Sequence, residues 1–429
     1  MTTQAIRKDS SATDSGGAMA DGAAGGPATG GSATAGGATG GSATGGGVTA
    51  DGAAAGGATG DGAADSNITA DLVYLLSCAV NGKAPDAELI AHMNLEAIFD
   101  ASERHMLSAA VGVALRQADI HNTDFERAQV RAIRRSVLLE SDHEIVTKQL
   151  EAQGIWHMPL KGVVMQQLYP IYGMREMSDH DILFDATRAD DVRSIMEKLG
   201  FTTKSFGKSH HDVYYKKPVS NFEMHRVVFG PEVDKQVRAY YQDIDKRLLG
   251  KGCEKHLSPE DFYLVMVAHE HKHYTFKGTG LRSLLDIYVY LREVKLDMDY
   301  VVSEAHKMGL AEFEKTNRTL AKRLFSGGKL SEKDQKILDY IMSSGVYGTI
   351  GNQVKYTMAS KGYSKLRYAL SRFFVPISKK NENYEAFAAW YPFFYKHKLL
   401  LPVLPFYRTI RALKNGKFAA EAQAIMRQE

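Results

Sequence analysis

Residues 158–184 read MPLKGVVMQQLYPIYGMREMSDHDILF. A short apolar run leads into Lys161-Gly162, and Asp179-x-Asp181 opens a second apolar run at the end of the stretch. Residues two apart on a strand point to the same side, so we expect Asp179 and Asp181 to project together and hold divalent cations. Mg²⁺ prefers such oxygen ligands, and a glycine turn before a helix favours phosphate. The stretch therefore predicts phosphoryl or nucleotidyl transfer.

The pattern around this stretch predicts a small mixed sheet. In chain order the expected elements run β-α-β-α-β-β-β, with the second helix capped by Thr187. We therefore predict an α+β fold whose core occupies residues 154–250. The expected strands cover 155–160, 180–184, 201–206, 212–216 and 222–229, and the expected helices cover 162–169 and 187–199.

Helical patterns flank this core, and they predict an N-terminal helical domain at 67–153 and a C-terminal one at 251–429. Ser258-Pro259 followed by two acids is a strong helix start, and a capping box at 123–126 opens a long helix. Helices are expected at 70–80 after a Thr69 cap, at 95–117, at 123–153, from 259 and at 281–294.

The first 66 residues differ in composition from the rest of the chain. They hold 19 of the 39 glycines and no aromatic residue, and GGSAT recurs at Gly30 and Gly40. Such a segment has too little apolar surface to offset the entropy of ordering, so we predict a disordered tail. No apolar core follows Arg7-Lys8, so the segment does not resemble a secretory signal.

Charge and cysteine content narrow the class of protein. The first 66 residues have two basic and six acidic residues, so the remainder of this +3 chain carries +7, in keeping with a polyanionic ligand. No unbroken apolar stretch reaches the ~18 residues of a membrane span. Cys78 and Cys253 are the only cysteines, which excludes a disulfide framework. We expect a cytoplasmic protein.

Nucleotidyl transfer needs a third carboxylate, which ligates one metal and helps to deprotonate the attacking hydroxyl. Glu223 is the candidate, because the strand-like run 221–225 places Glu223 and His225 on one side. Adjacent strands lie about 4.8 Å apart, so Glu223 would reach the aspartates from a neighbouring strand. His225 would orient Glu223 or pack. Lys161 and Arg175 would contact the β- and γ-phosphates, with Arg175 acting as a bidentate fork.

The combination Leu160-Lys161-Gly162, Arg175, Asp179-x-Asp181 and Glu223-x-His225 resembles the polymerase-β-like nucleotidyltransferase superfamily. It resembles more closely a bacterial family of uncharacterised nucleotidyltransferases, several of which accompany surface-polysaccharide genes. The resemblance extends to about residues 67–420 through His269-x-x-x-His273, GLRSLLD at 280–286 and PVLPFYRTIR at 402–411. The chain departs from the superfamily in having Lys161-Gly162 for Gly-Ser, and His180 where an apolar residue is usual.

The resemblance implies Mg²⁺- or Mn²⁺-dependent transfer of a nucleoside monophosphate from a nucleoside triphosphate, ATP first, to an acceptor hydroxyl. A catalytically degenerate scaffold that binds other proteins is the alternative. The implied residues fall into three groups: Asp179, Asp181 and Glu223 for metal and catalysis; Lys161, Gly162 and Arg175 for the nucleotide; and His225, His269, His273, Arg282 and Asp286 for a second side of the cleft. Arg282 and Asp286 also have the i, i+4 spacing of an ion pair.

A zinc peptidase is a competing interpretation. His269-Glu270-x-x-His273 matches H-E-x-x-H, in which two histidines one helical turn apart bind zinc and the glutamate acts as general base. Glu293 is the candidate third ligand. The same two histidines would otherwise pack between domains or contact the nucleotide.

Residues 363–417 interleave aromatic clusters with basic residues. They are expected to pack on the core, or to form a peripheral membrane contact through 384–411 with aromatic rings at the headgroups. Nucleic acid is a less favoured partner, because no RNA-binding motif accompanies the basic residues.

Overall fold

The computed structural model describes residues 62–231, 233–371, 374–378, 381, 384–414 and 417–426. Five strands form one sheet: β1 His157–Pro159, β2 His180–Phe184, β3 Thr202–Ser205, β4 His211–Lys216 and β5 Ser220–His225. The α-helices before and within the sheet region are α1 Gly62–Val80, α2 Ala87–Ala91, α3 Leu95–His105, α4 Ser108–Gln117, α5 Thr123–Ala152, α6 Gly162–Gln166, α7 Ala189–Lys198 and α8 Lys235–Tyr240. Those that follow are α9 Pro259–Phe276, α10 Leu281–Glu293, α11 Met298–Lys307, α12 Ala311–Phe325, α13 Glu332–Ser344, α14 Ile350–Lys361, α15 Lys365–Ser371, α16 Tyr384–Trp390, α17 Pro392–Lys396, α18 Leu404–Lys414 and α19 Lys417–Met426.

The sheet has the order β1-β2-β5-β4-β3, with β2 and β5 parallel and the other pairs antiparallel. This confirms the predicted α+β class and the β-α-β-α-β-β-β order. Several predicted elements are shorter in the structure. The strand predicted at 155–160 covers His157–Pro159, the one predicted at 201–206 covers Thr202–Ser205, α6 ends at Gln166 and β5 ends at His225. The adjacency of β2 and β5 pairs Asp181 directly with Glu223.

The strand alternation divides the sheet into two faces. Ile182 and Phe184 of β2 join a hydrophobic cluster that includes Leu139 of α5 and Val192 of α7. Leu183 joins a second cluster formed with the flanking helices. Asp181 and Glu223 share the Leu183 face because of the period-two alternation.

His180 lies on the opposite face of β2 from Asp181. It takes the position at which the superfamily that the sequence resembles usually has an apolar residue. Its ring meets His143 at 5.1 Å and Phe222 at 5.2 Å between centroids. Burial lowers the pKa of His180 to about 3. The neutral imidazole therefore packs as a core side chain.

Several helix starts differ from the prediction. Thr69 lies inside α1, which begins at Gly62, so it is not a cap. Met106 takes φ 54° and splits the expected 95–117 helix into α3 and α4. Asn122, not Thr123, caps α5, since its side chain accepts from the Asp124 N–H at 3.1 Å.

The helix predicted after Thr187 also starts differently. Asp185 accepts from the Thr187 N–H at 3.0 Å and caps a 3₁₀ turn over Ala186–Arg188, and α7 begins at Ala189. The predicted start at Ser258 is confirmed, since its hydroxyl accepts from the Asp261 N–H at 3.1 Å and Pro259 opens α9. Residues 1–61 of the predicted disordered tail lie outside the described residues. The last five residues of the predicted tail, 62–66, form the start of α1.

Candidate functional site

One cavity of about 390 Å³ lies between the Leu183 face of the sheet and helices α9 and α10. It is lined by every residue that the sequence nominated for the nucleotidyltransferase site, from both sides of the proposed cleft. From the sheet side come Lys161, Gly162, Arg175, Asp179, Asp181, Glu223 and His225, and from the helices come His269, Glu270, His273, Arg282 and Asp286. Residues more than a hundred positions apart in the chain thus meet at one site.

Asp181 is held by hydrogen bonds from two different elements of the cavity wall. Its Oδ1 accepts from His225 Nε2 at 2.7 Å and from Lys161 Nζ at 3.1 Å. Burial raises the pKa of Asp181, but the Lys161 ammonium and the His225 hydrogen bond outweigh it, so the pKa lies well below its usual range. Asp181 is therefore an anion at neutral pH.

Glu223 lies opposite Asp181 in the β2–β5 register and is less tightly paired. Its Oε2 is 3.6 Å from His211 Nε2 and 3.8 Å from His225 Nε2. Burial, followed by the charges of Asp181 and Asp179, raises the pKa of Glu223 to about 7. This carboxyl exchanges a proton near neutral pH.

Lys161 directs its ammonium group into the cavity from the turn before α6. Its φ is 49°, in the left-handed region that L side chains rarely adopt. Burial lowers the pKa of Lys161, but the carboxylates of Asp181, Asp179 and Glu223 raise it by more. The pKa therefore lies above its usual value, and the ammonium group stays charged. At the next residue, Gly162, an added Cβ would stand 2.9 Å from Arg175 Nη1, so a larger residue there would require the Arg175 side chain to shift.

Asp179 precedes β2 and is partly exposed on the cavity wall. Its Oδ1 accepts from the Ser178 hydroxyl at 2.7 Å. Burial and the neighbouring Asp181 raise its pKa. Asp179 thus shares the cavity with Asp181 but lacks the Lys161 and His225 hydrogen bonds that hold Asp181.

Two sets of possible metal donors occur among the described residues. One is Asp181, Glu223 and His225, and the other is His210, His211 and His225; within each set the donor atoms lie within 4.8 Å of one another. Asp179 is in neither set. The sequence interpretation missed His210 and His211, although a histidine pair at the head of a predicted strand was visible, and the register pairs His211 with His225.

Arg175 forms a bidentate ion pair across the cavity wall. Its Nε and Nη2 donate to the two oxygens of Asp286 at 2.9 and 2.8 Å, and Tyr169 donates to the same carboxylate at 2.8 Å. The predicted fork is therefore directed at a buried carboxylate rather than open for phosphate.

The predicted Arg282–Asp286 ion pair is wrong. Arg282 donates instead to the Glu176 carbonyl at 3.0 Å, because Asp286 is taken by Arg175. The guanidinium of Arg282 still lines the cavity.

The His269–His273 pair lacks the requirements of a zinc peptidase. The two Nε2 atoms are 3.0 Å apart, but no third donor lies within 4.8 Å of the pair in the part of the chain that the structure describes. Glu293 pairs with Arg292 at 2.6 Å at the end of α10. Both Glu270 oxygens are buried, so Glu270 is not exposed to activate water.

The fold and cavity together define an α+β protein with an acidic, lysine-bearing cleft between a mixed sheet and a helical layer. A family described as uncharacterised nucleotidyltransferase matches residues 91–326, more than half of the chain. The chain belongs to this family. Comparisons with curated proteins and with solved structures returned no match.

Proposed function

We propose that this protein is a divalent-cation-dependent nucleotidyltransferase that moves a nucleoside monophosphate from a nucleoside triphosphate to an acceptor hydroxyl. The observation that carries the proposal is the in-register Asp181–Glu223 pair with the Lys161 ammonium beside it in one cavity. Membership of a nucleotidyltransferase family supports it. The arrangement of these motifs also supports a place in the polymerase-β-like superfamily.

The donor set fits a divalent cation. One atom each of Asp181, Glu223 and His225 lies within 4.8 Å of the other two, close enough to share an ion, and Asp179 offers a further carboxylate in the same cavity. Carboxylates suit Mg²⁺ and Mn²⁺, and imidazole favours transition-metal ions. His225 Nε2 donates its proton to Asp181, so the carboxylates would hold the ion, and both Mg²⁺ and Mn²⁺ fit them. When bound, the ion would neutralise charge on the phosphates.

The side chains divide the reaction between them. Lys161 leaves Asp181 and donates to the triphosphate, which places the α-phosphorus opposite the acceptor. The acceptor oxygen bonds to that phosphorus, the α–β bridging P–O bond breaks, and pyrophosphate leaves with the bond's electrons. Glu223 takes the hydroxyl proton as general base, because its carboxylate is less tightly paired than that of Asp181.

The donor and acceptor classes follow from the resemblance. We propose ATP as the donor and a sugar hydroxyl linked to surface-polysaccharide assembly as the acceptor. A cytoplasmic location fits this donor and the two free cysteines.

The test is thermal unfolding with each nucleoside triphosphate, with and without Mg²⁺ or Mn²⁺. We expect one nucleotide to raise the melting temperature by a few degrees only when the ion is present, because a ligand of the native state adds about 2.7 kcal/mol at a hundredfold excess over Kd. Asp181→Asn should remove this shift. The exposed Asp190→Asn on α7, which removes the same charge elsewhere, should retain it.

The Lys161–Asp181 ion pair at 3.1 Å also supports the competing function, a scaffold without catalysis, because the lysine already neutralises the carboxylate that would hold the ion. Absence of a shift with every nucleotide and both ions would contradict the transferase proposal and favour the scaffold.

A further inference from the structure

The C-terminal region carries large apolar side chains that the rest of the described chain leaves uncovered. We call Leu399, Val403, Phe406, Ile410 and Leu413 the C-terminal apolar face. Their exposed fractions are 96%, 51%, 64%, 56% and 56%, in that order. Soluble proteins rarely leave such a cluster without a binding role.

The C-terminal apolar face is attached to a small hydrophobic cluster. Leu404, at the start of α18, is buried in a small cluster with Tyr395 and Leu401. Within α18, Phe406, Ile410 and Leu413 have the i, i+4, i+7 spacing of one helix side. This side is exposed, whereas Leu404 is buried and the Tyr407 ring packs on Phe394 at 5.4 Å between centroids. α18 is therefore an amphipathic helix that is anchored on one side and open along its apolar stripe.

The charge of the same region is one-sided. Between Glu385 and Glu421 the sequence has no acidic residue and six basic ones: Lys396, Lys398, Arg408, Arg411, Lys414 and Lys417. Lys396, Lys398 and Arg411 are exposed. A surface that is both apolar and strongly basic matches a partner that is both apolar and anionic.

We propose that the C-terminal apolar face docks on an anionic lipid surface. The apolar side chains would enter the acyl boundary while the basic side chains meet lipid phosphates. Trp390 and Phe393, exposed beside this segment, supply rings of the kind found at headgroup level. A second copy fits the face less well, because two such basic surfaces repel.

Docking would be peripheral. None of the helices in the described ranges combines the length and the apolar character needed to cross a bilayer. The proposal is independent of the catalytic site, since none of these residues lines the cavity. It gives the enzyme proposed above access to acceptors carried by lipids.

The test is flotation of the full chain with vesicles of phosphatidylcholine alone or mixed with phosphatidylglycerol. We expect at least tenfold more binding to the mixed vesicles, and loss of most of this binding in added salt. Phe406→Glu/Ile410→Glu should reduce binding at least tenfold. Val130→Glu/Val137→Glu on α5, two residues that are also exposed, is the matched control and should bind like the parent chain.

Further measurements distinguish lipid binding from misfolding and from self-association. Circular dichroism and melting of the variants exclude misfolding, and Asp181→Asn should bind vesicles normally, so that failure of the catalytic proposal leaves this one untouched. Equal binding to both vesicle types, or unchanged binding of the Phe406→Glu/Ile410→Glu variant, would overturn it. So would light scattering that reveals a dimer of the parent chain that this variant dissociates, because the face would then bind a second copy.

Discussion

Glu270 is a carboxyl that the fold buries without a hydrogen-bond partner among the described residues. Burial, followed by the charge of Asp286, raises its pKa from 4.5 to about 8. The folded protein therefore keeps a proton that the unfolded chain loses above about pH 4.5. Since the folded state binds more protons in this window, the free energy of unfolding falls as the pH rises towards 8.

We expect Glu270→Gln to remove this dependence. The variant should resemble the parent chain at pH 5 and exceed its free energy of unfolding at pH 8.5 by on the order of 3 kcal/mol. Urea unfolding at the two pH values measures the difference, with the exposed Glu88→Gln on α2 as the control. If the difference in free energy of unfolding between the variant and the parent chain were the same at pH 8.5 as at pH 5, the buried carboxyl would have a partner in solution.

At the level of single residues, the sequence predicted Asp181 and Glu223 because strand alternation fixes the side to which each points. It did not predict the partners of Asp181. Lys161 and His225 reach the same oxygen from different elements, and such distant convergence has no local signal. His211 could have been added, since it directly precedes the strand predicted at 212–216.

At the level of elements, the Arg175–Asp286 ion pair joins the loop before β2 to α10 and closes one wall of the cavity. The sequence favoured Arg282 as the partner of Asp286, because i, i+4 spacing is a local rule. Local spacing cannot reveal a competitor from another element, and the bidentate geometry of Arg175 satisfies both carboxylate oxygens. The helix starts are a different case, because Asn122 and Asp185 lie close to Thr123 and Thr187 in the sequence and accept from the backbone N–H groups locally.

We expect Arg175→Ala and Asp286→Ala each to lower the free energy of unfolding by about 3–5 kcal/mol, because each leaves a buried charge without its partner. The double variant should lose much less than the sum of the two. Urea unfolding of the four proteins gives the coupling energy. Arg188→Ala, which breaks the exposed pair with Asp191, should cost at most about 1 kcal/mol. Additive losses at Arg175 and Asp286 would contradict direct pairing.

At the level of the whole molecule, the predicted divisions at residues 153 and 250 cross a shared core. One hydrophobic cluster includes Leu72 of α1, Leu183 of β2, Leu284 of α10 and Phe325 of α12. Ser77 of α1 also donates to the Phe325 carbonyl at 2.9 Å. Sequence composition marks where helical and mixed segments change, but it does not report which segments bury their apolar sides together.

A shared core predicts shared stability. We expect amides of α1, β2 and α10 to exchange through one opening, with free energies within about 1 kcal/mol of one another, because none of these elements can leave the cluster alone. The small clusters around Val354 and around Tyr395 contain only residues after 349, so α14 to α19 should open at lower free energy. Hydrogen exchange at rising urea, read by mass spectrometry, measures both. If α1 opened before α10, the N-terminal helices would be a separate domain.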